Sequence, residues 1–356
     1  MISRYKKYSG QKVFITGHTG FKGSWLTFVM KELGAEVCGY SLKSDDAQSH
    51  FNQLGLKSEI HNIEADIRDK ERLISEMKSF QPNYVFHLAA QAIVRKSYAD
   101  PSLTFETNVI GSLNLLEAVR ATPQVKSLIY VTSDKCYENT EWVYGYRETD
   151  QLGGIDPYSA SKSSAEILFS SYTRSYFASR DDLGFASVRA GNVIGGGDWS
   201  EDRIIPDCIR AIESDQPIVL RSPNSTRPWQ HVLEPLSGYM LLGQKLREEP
   251  LKWRGSWNFG PDSSDVVTVG EVAATMISEF GKGSLKVEEV ASEEHEAGLL
   301  KLNCDKARHL LRWSPTWNST KTLQETANWY KRVLAGESTP LVTKEQAYEF
   351  LGEKSD

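Results

Sequence analysis

Ser133, Asp134 and Lys135 stand together in VTSDKCYEN, residues 131–139, directly after an apolar run, Ser127–Tyr130, that reads as a buried strand. A hydroxyl, a carboxyl and an amine in succession can hold an oxygen, release a proton and accept one. At the carboxyl edge of a parallel sheet, where ligands bind, such a cluster points to chemistry. A strand-to-loop transition with a solvated charge pair is the plainer reading. A second pair lies further on, where Tyr158 and Lys162 are four residues apart in YSASK, on one face of a helix start. A tyrosine of pKa about 10 must lose roughly three units, near 4 kcal/mol, to act as a base at neutral pH. A neighbouring ammonium has the right sign to help. Alone, that spacing is common on exposed helix faces.

The elements that must position these groups alternate. Lys12–Thr16 reads as a strand, Lys22–Leu33 as a helix closed by Gly34, and Glu36–Leu42 and His61–Ile67 as further strands. An amphipathic stretch, Asp69–Phe80, precedes the apolar strand Tyr84–Ala90, and a long helical pattern, 101–121, leads into Ser127–Ser133. Pro157 suits the first turn of a helix over Tyr158–Ala178, and Phe185–Val193 suits another strand. This βαβα order predicts an α/β fold, a doubly wound parallel Rossmann-type sheet, with a smaller mixed α/β lobe. After Gly195-Gly196-Gly197 the segments shorten and prolines and tryptophans become frequent. The expected division is 1–190 for the dinucleotide-binding domain, 191–335 for a substrate lobe, and 336–356 for a polar, loosely packed tail.

Between the first strand and helix lies Gly17-His18-Thr19-Gly20-Phe21-Lys22-Gly23. Glycines spaced by two residues let backbone approach a pyrophosphate, and the helix that follows aims its N–H groups at it. Gly17, His18, Gly20, Phe21 and Gly23 are therefore candidate cofactor contacts. His18 and Lys22 add cationic contacts to phosphate or simply lie at the surface. The second strand ends in Tyr40-Ser41-Leu42-Lys43 without the acidic residue that usually takes the ribose hydroxyls, so NAD is expected with NADP left open.

The 356 residues carry a net charge of −6, so no broad basic field draws nucleic acid or an acidic membrane. The four cysteines, Cys38, Cys136, Cys208 and Cys304, form no CxxC pair; neither a metal site nor a disulfide framework is expected, and the cytoplasm is the expected location. MISRYKKYSG does not read as a signal peptide, so none is expected, and no apolar run is long enough for a membrane helix.

These motifs together resemble the extended short-chain dehydrogenase/reductase family over about residues 10–335. They are the glycine loop, Asp66-Ile67, His87-Leu88-Ala89-Ala90, Asn108, Ser133, Tyr158/Lys162, Arg189-Ala190-Gly191-Asn192-Val193, Arg227-Pro-Trp-Gln-His231-Val232 and Leu302–Ala307. The resemblance implies that Asp66 and Ile67 flank an adenine and that Ala89 and Ala90 line the nicotinamide side. It further implies that Tyr158 and Lys162 handle a sugar hydroxyl, and that Asn192 and Arg227 contact the diphosphate of a nucleotide sugar. Arg203 is an additional clamp by this reading, and His231, Trp199, Trp229, His295 and Glu296 are candidates to line the site.

The forms TSDKCY, GHTGFKG and RAGNVIGGGDW are similar to the CDP-glucose 4,6-dehydratase branch of that family. The resemblance implies CDP-glucose as partner, NAD as cofactor, a product used for deoxysugars of surface polysaccharide, and a homodimer through a four-helix bundle. A dehydratase on another nucleotide base or a 4-epimerase is the alternative. Relatives of the dehydratase type place Asp then Glu after the strand, and here Lys135 replaces the glutamate. Asp134 is then the acid at C6. Lys135 is either the base at C5 or a fixed charge that stabilises the enolate.

Overall fold

Alternate residues of each central strand bury into opposite faces of one sheet. The computed structural model of the chain describes residues 3–288 and 299–353. Seven parallel strands form the sheet: β1 (Lys12–Thr16), β2 (Glu36–Ser41), β3 (His61–Glu64), β4 (Tyr84–His87), β5 (Ser127–Val131), β6 (Gly184–Ala190) and β7 (Gly255–Phe259). They lie in the order β7-β6-β5-β4-β1-β2-β3, and all the pairings are parallel. Val13, Ile15, Phe86, Ile129 and Val188 point to one face, and Phe14, Val85, Leu128 and Tyr130 to the other. A sheet buried on both sides in this way needs helices over each face.

The first face is covered by α1 (Phe21–Glu32), through Trp25, Leu26 and Val29, and by α5 (Leu233–Glu248), through Leu236, Tyr239 and Met240. The second is covered by α2 (Lys70–Phe80), by α3 (residues 101–120) and by α4 (Pro157–Tyr172), through Leu73, Leu115 and Phe169 among others. The order in which successive strands are added reverses between β1 and β4, and a crevice opens there beyond the strands' carboxyl ends. The glycine loop after β1 and the segment Leu88–Ala90 after β4 border it.

Two expectations need correction. The boundary at 190 does not isolate a sheet domain, since β7 and α5, both beyond it, complete the sheet and cover its face. The segment 336–356 is no loose tail over its described part: Thr339–Glu353 forms helix α6, and Val342, Ala347, Phe350 and Leu351 are buried in the main apolar cluster. Among the described residues, no helix is long and apolar enough to cross a membrane.

Candidate active site

Backbone closeness builds the crevice wall. Gly17 has φ +73°, and a Cβ there would lie 2.6 Å from the amide nitrogen of Ala89. A Cβ on Gly23 would lie 2.0 Å from the Gly17 carbonyl oxygen. Only glycine lets this loop fold against both β4's extension and the first turn of α1. Thr16 Oγ1 accepts from Ala89 N (3.3 Å) and meets His87 Nδ1 at 2.7 Å. His87 Nε2 continues to Ser112 Oγ at 3.0 Å, and burial drops this histidine to about 3, so it is a neutral strut. Within α3 a π-turn, Glu106–Ile110, carries buried Asn108. Its Nδ2 donates to Ser161 Oγ (2.8 Å) and to the Gln91 carbonyl (3.0 Å), tying α4 to the wall.

β5 ends in Ser133, whose extended backbone starts a short turn, Asp134–Cys136. Ser133 Oγ donates to Asp134 Oδ1 (2.9 Å) and accepts from Lys135 N (3.2 Å). Asp134 is 4% exposed, and burial raises its carboxyl above the usual range against the pull of Lys135, Ser133 and Lys22. Lys135 is half-buried. Asp156 caps α4 by accepting from Ser159 N (2.9 Å), and Pro157 fills its first turn, which sets Tyr158 facing Ser133. Burial pushes Tyr158 up to about 12, with Ser133 opposing. Lys162 Nζ lies 5.8 Å from the Tyr158 ring centre, and burial lowers it to about 8. Lys22 is also lowered to about 8, by burial and then by the cations of Lys162 and Arg203.

A cleft beside this cluster is lined by Gly191, Pro228, Gly260, Asp262, Lys301 and Leu302. A Cβ on Gly191 would lie 3.2 Å from Asp134 Oδ2, so the cleft floor abuts the carboxyl. The arrangement can take a proton from one hydroxyl of a bound molecule and give a proton to another group a short way along it.

A family model described as GDP-mannose 4,6 dehydratase matches residues 14–326. The chain belongs to the GDP-mannose 4,6 dehydratase family. Among its relatives, the CDP-glucose 4,6-dehydratase of Salmonella typhimurium (strain LT2) is 44% identical over 348 residues, covering 97% of each chain. A Thermus thermophilus UDP-glucose 4-epimerase complexed with NAD has a TM-score of 0.76 at 26% identity, over 90% of this chain and 99% of that one. A Bacillus anthracis dTDP-glucose 4,6-dehydratase in complex with NAD shares the fold with a TM-score of 0.76 at 23% identity, over 91% and 97% of the two chains.

The residues expected at the site divide. Ser133, Asp134, Lys135, Tyr158 and Lys162 converge, and Gly17, Gly20, Phe21, Gly23, Ala89 and Ala90 border the same crevice. Asp66 sits at the crevice's far end with its carboxylate forked by Arg68 (Nη2 at 2.8 Å), which holds it below the usual range. Ile67 is buried against Gly111. The Asn192 carbonyl accepts from Gln230 N (3.2 Å), which brings the Asn192 and Arg227 segments to one side of the cleft. Arg203 pairs with Asp198 at 3.0 Å and its charge reaches Lys22 and Tyr158.

His18 and His231 are corrections. His18 offers no cation to phosphate: it is fully buried against Gly39 and Phe51, bonds Asn62 Oδ1 at 2.7 Å, and burial lowers its pKa. His231 does not line the cleft either, because its ring packs among Trp25, Trp317 and Phe350 at 0% exposure and burial lowers it to about 3. Trp199 and Trp229 belong to the main apolar cluster. His295 and Glu296 lie outside the described residues.

Sequence reasoning missed the support behind the cluster. Glu166, 2% exposed, accepts from Arg189 Nε (3.0 Å) and Nη2 (2.7 Å), from Ser187 Oγ (2.9 Å) and from Thr132 Oγ1 (2.5 Å). Burial alone would raise Glu166, but the Arg189 guanidinium holds it below the usual range. The signal was available: Glu166 continues the Tyr158, Lys162 series at a spacing of four, so all three share one helix face.

Proposed function

We infer that the chain is a CDP-glucose 4,6-dehydratase that converts CDP-D-glucose to CDP-4-keto-6-deoxy-D-glucose. One observation carries the step beyond simple oxidation: a buried carboxyl, Asp134, raised by burial above the usual range, next to Ser133 and facing the floor of the cleft. Oxidation or epimerisation at C4 needs Tyr158, Lys162 and Ser133 but no acid at C6. Support for the base and the sugar comes from the 44% identity to the Salmonella enzyme over nearly the whole chain.

The glycine loop fits NAD: with no room for a Cβ at Gly17 or Gly23 it folds tightly onto Ala89 and the first turn of α1, and the N-terminus of α1 favours a pyrophosphate. Gly17, Gly20, Phe21 and Gly23 would hold the diphosphate, Asp66 and Ile67 the adenosine end, and Ala89, Ala90, Tyr158 and Lys162 the nicotinamide end. Held there, NAD would supply a hydride acceptor for C4 and the same hydride for C6, with no net redox change. The NAD complex of the Thermus thermophilus relative supports NAD over NADP.

The residues' own steps follow. Tyr158 accepts the C4 hydroxyl proton, Ser133 holds that oxygen, and Lys162 supplies positive charge beside the phenol. The C4 ketone acidifies the C5 hydrogen, which Lys135 removes. Asp134 then protonates the C6 hydroxyl, which leaves as water, and the proton held on Lys135 returns to C5 when C6 takes the hydride. Arg227, Asn192 and Arg203 take the diphosphate of the substrate. The segments around 191–232, 260–288 and 299–303 form the substrate lobe over the sheet. The enzyme works as a cytoplasmic homodimer, and its product supplies deoxysugars for surface polysaccharide.

Mass spectrometry of CDP-glucose incubated with the protein and catalytic NAD tests this. The expected result is loss of one water, without net cofactor reduction and without change in UDP- or dTDP-glucose. A product of unchanged mass with inverted C4 would replace dehydration by epimerisation.

A further inference from the structure

The turn that carries Asp134 and Lys135 holds itself weakly. Its own backbone bonds, Cys136 N to the Ser133 carbonyl at 3.3 Å and Tyr137 N to the Asp134 carbonyl at 3.4 Å, are both long. Its shape therefore depends on what grips its two ends, and one buried ion pair grips both. At the first end, Thr132 Oγ1 donates to Glu166 Oε1 at 2.5 Å. At the second, Arg189 Nη1 donates to Tyr137 Oη at 2.7 Å, with the guanidinium 4.9 Å from the Tyr137 ring centre. Arg189 in turn is bonded to Glu166 through Nε at 3.0 Å and Nη2 at 2.7 Å. Glu166 stands four residues after Lys162 on α4, and Arg189 lies on β6. The pair thus refers the turn to the same helix that presents Tyr158 and Lys162.

Tyr137 is buried, and its ring packs with Cys136, Tyr146 and Leu300. Its hydroxyl, having accepted from Arg189, donates to Asn258 Oδ1 at 2.8 Å. Asn258 Nδ2 donates onward to the carbonyls of Tyr146 (2.9 Å) and Asn303 (3.1 Å), next to Leu302 in the cleft wall. One phenol oxygen therefore joins the turn, the ion pair and the cleft. Resting on the dehydratase reading above, the two ends of the turn serve different steps. The Thr132 end sets Ser133, which holds the C4 oxygen during oxidation. The Tyr137 end sets Asp134 and Lys135, which act afterwards, when the C5 proton and the C6 hydroxyl leave. We propose that Tyr137 is a positioning residue for that elimination: its hydroxyl, held between Arg189 and Asn258, keeps Asp134 at C6 and Lys135 at C5 of a sugar already oxidised at C4.

Rapid mixing of CDP-glucose with the NAD-loaded full chain tests the proposal in wild type, Tyr137→Phe and Thr132→Val. The readouts are the absorbance of reduced cofactor and mass spectrometry of the quenched product. Tyr137→Phe keeps the ring and its packing. It is expected to oxidise C4 at near the wild-type rate, and to eliminate water between about tenfold and about a hundredfold more slowly, the upper figure being the cost of roughly 1 Å of misplacement. Reduced cofactor then accumulates. Thr132→Val is expected to slow the oxidation itself, so that no reduced cofactor builds up, and Thr132→Ser, which keeps the hydroxyl, to restore it. A role in stability alone would lower the melting temperature of Tyr137→Phe and leave both rates per folded molecule unchanged. That result, a loss shared equally by both steps or confined to the oxidation, or reduced cofactor accumulating in Thr132→Val overturns the proposal while leaving the dehydratase reading in place. Wild-type protein that removes no water from CDP-glucose overturns that reading and this one with it.

Discussion

Burial acts on the site's side chains in opposite senses, and each sense has a use. It raises the Asp134 carboxyl above the usual range, the direction an acid needs, and it lowers Lys162 and Lys22 to about 8, which keeps them cationic only below that pH. It also pushes Tyr158 up to about 12, so the phenol must gain positive charge nearby before it can take a proton. Tyr158→Phe should therefore lower turnover by at least about a hundredfold, the span of general-base catalysis, while nucleotide binding in a calorimeter stays near wild type. Lys135→Ala separates two steps: C4 oxidation should proceed and C5 deprotonation stall, so the absorbance of reduced cofactor builds up on mixing with substrate. Full turnover by that variant would assign the C5 proton to another group. Lys162 gives a stability test. Its folded pKa, about 8, lies below the unfolded value near 10.5. Between these values the unfolded chain binds more protons, so stability from this site rises with pH across the window, and the burial penalty is complete below about 8. Cofactor-free Lys162→Met should be more stable to unfolding than wild type at pH 7, by at most about 3 kcal/mol, and lose that advantage by pH 10.5. A constant difference across the window would contradict a buried ammonium.

Elements decide how closely these groups meet. The turn from β1 into α1 closes only because Gly23 lets the Gly17 carbonyl oxygen stand where a Cβ would be, 2.0 Å away. Gly23→Ala should force the loop off Ala89, with NAD affinity falling tenfold or more by calorimetry and a lower melting temperature; wild-type affinity would show that the loop binds nothing. This element was legible in sequence because strand, glycines and helix come in a fixed order, as was the Tyr158/Lys162 face from its spacing of four. The two histidines were not. His18 falls in the glycine loop and His231 in a two-residue strand, Gln230–His231, where no period tells inward from outward. Each turns into the core, where burial keeps it neutral. Helix α6 was missed for a related reason: its polar majority hid Val342, Ala347, Phe350 and Leu351, which need a partner surface to declare themselves. The Glu166–Arg189 pair joins α4 to β6 over 23 residues, a tertiary fact that local spacing could only hint at.

At the scale of the molecule, the outer face of α3 and α4 stays partly apolar after the sheet is covered. Leu103, Phe105 and Ile110 on α3, and Ile167 and Tyr176 on α4 and its continuation, are between 37% and 59% exposed. The two helices already pack against each other through Asn108 and Ser161. A second copy set on this face would cover both helices and make four, with apolar burial as the driving term. The same α4 carries Tyr158 and Lys162 near its start, so docking at Ile167 would brace the base from behind. Light scattering at micromolar concentration should give twice the chain mass. Ile110→Glu combined with Ile167→Glu should give the single-chain mass. If the brace matters, specific activity of the wild type should fall on dilution through the dissociation range, and the double variant should lose turnover while retaining its circular dichroism spectrum. A wild-type monomer with full activity would leave that apolar face without a partner of its own kind and make Tyr158's position a property of the single chain.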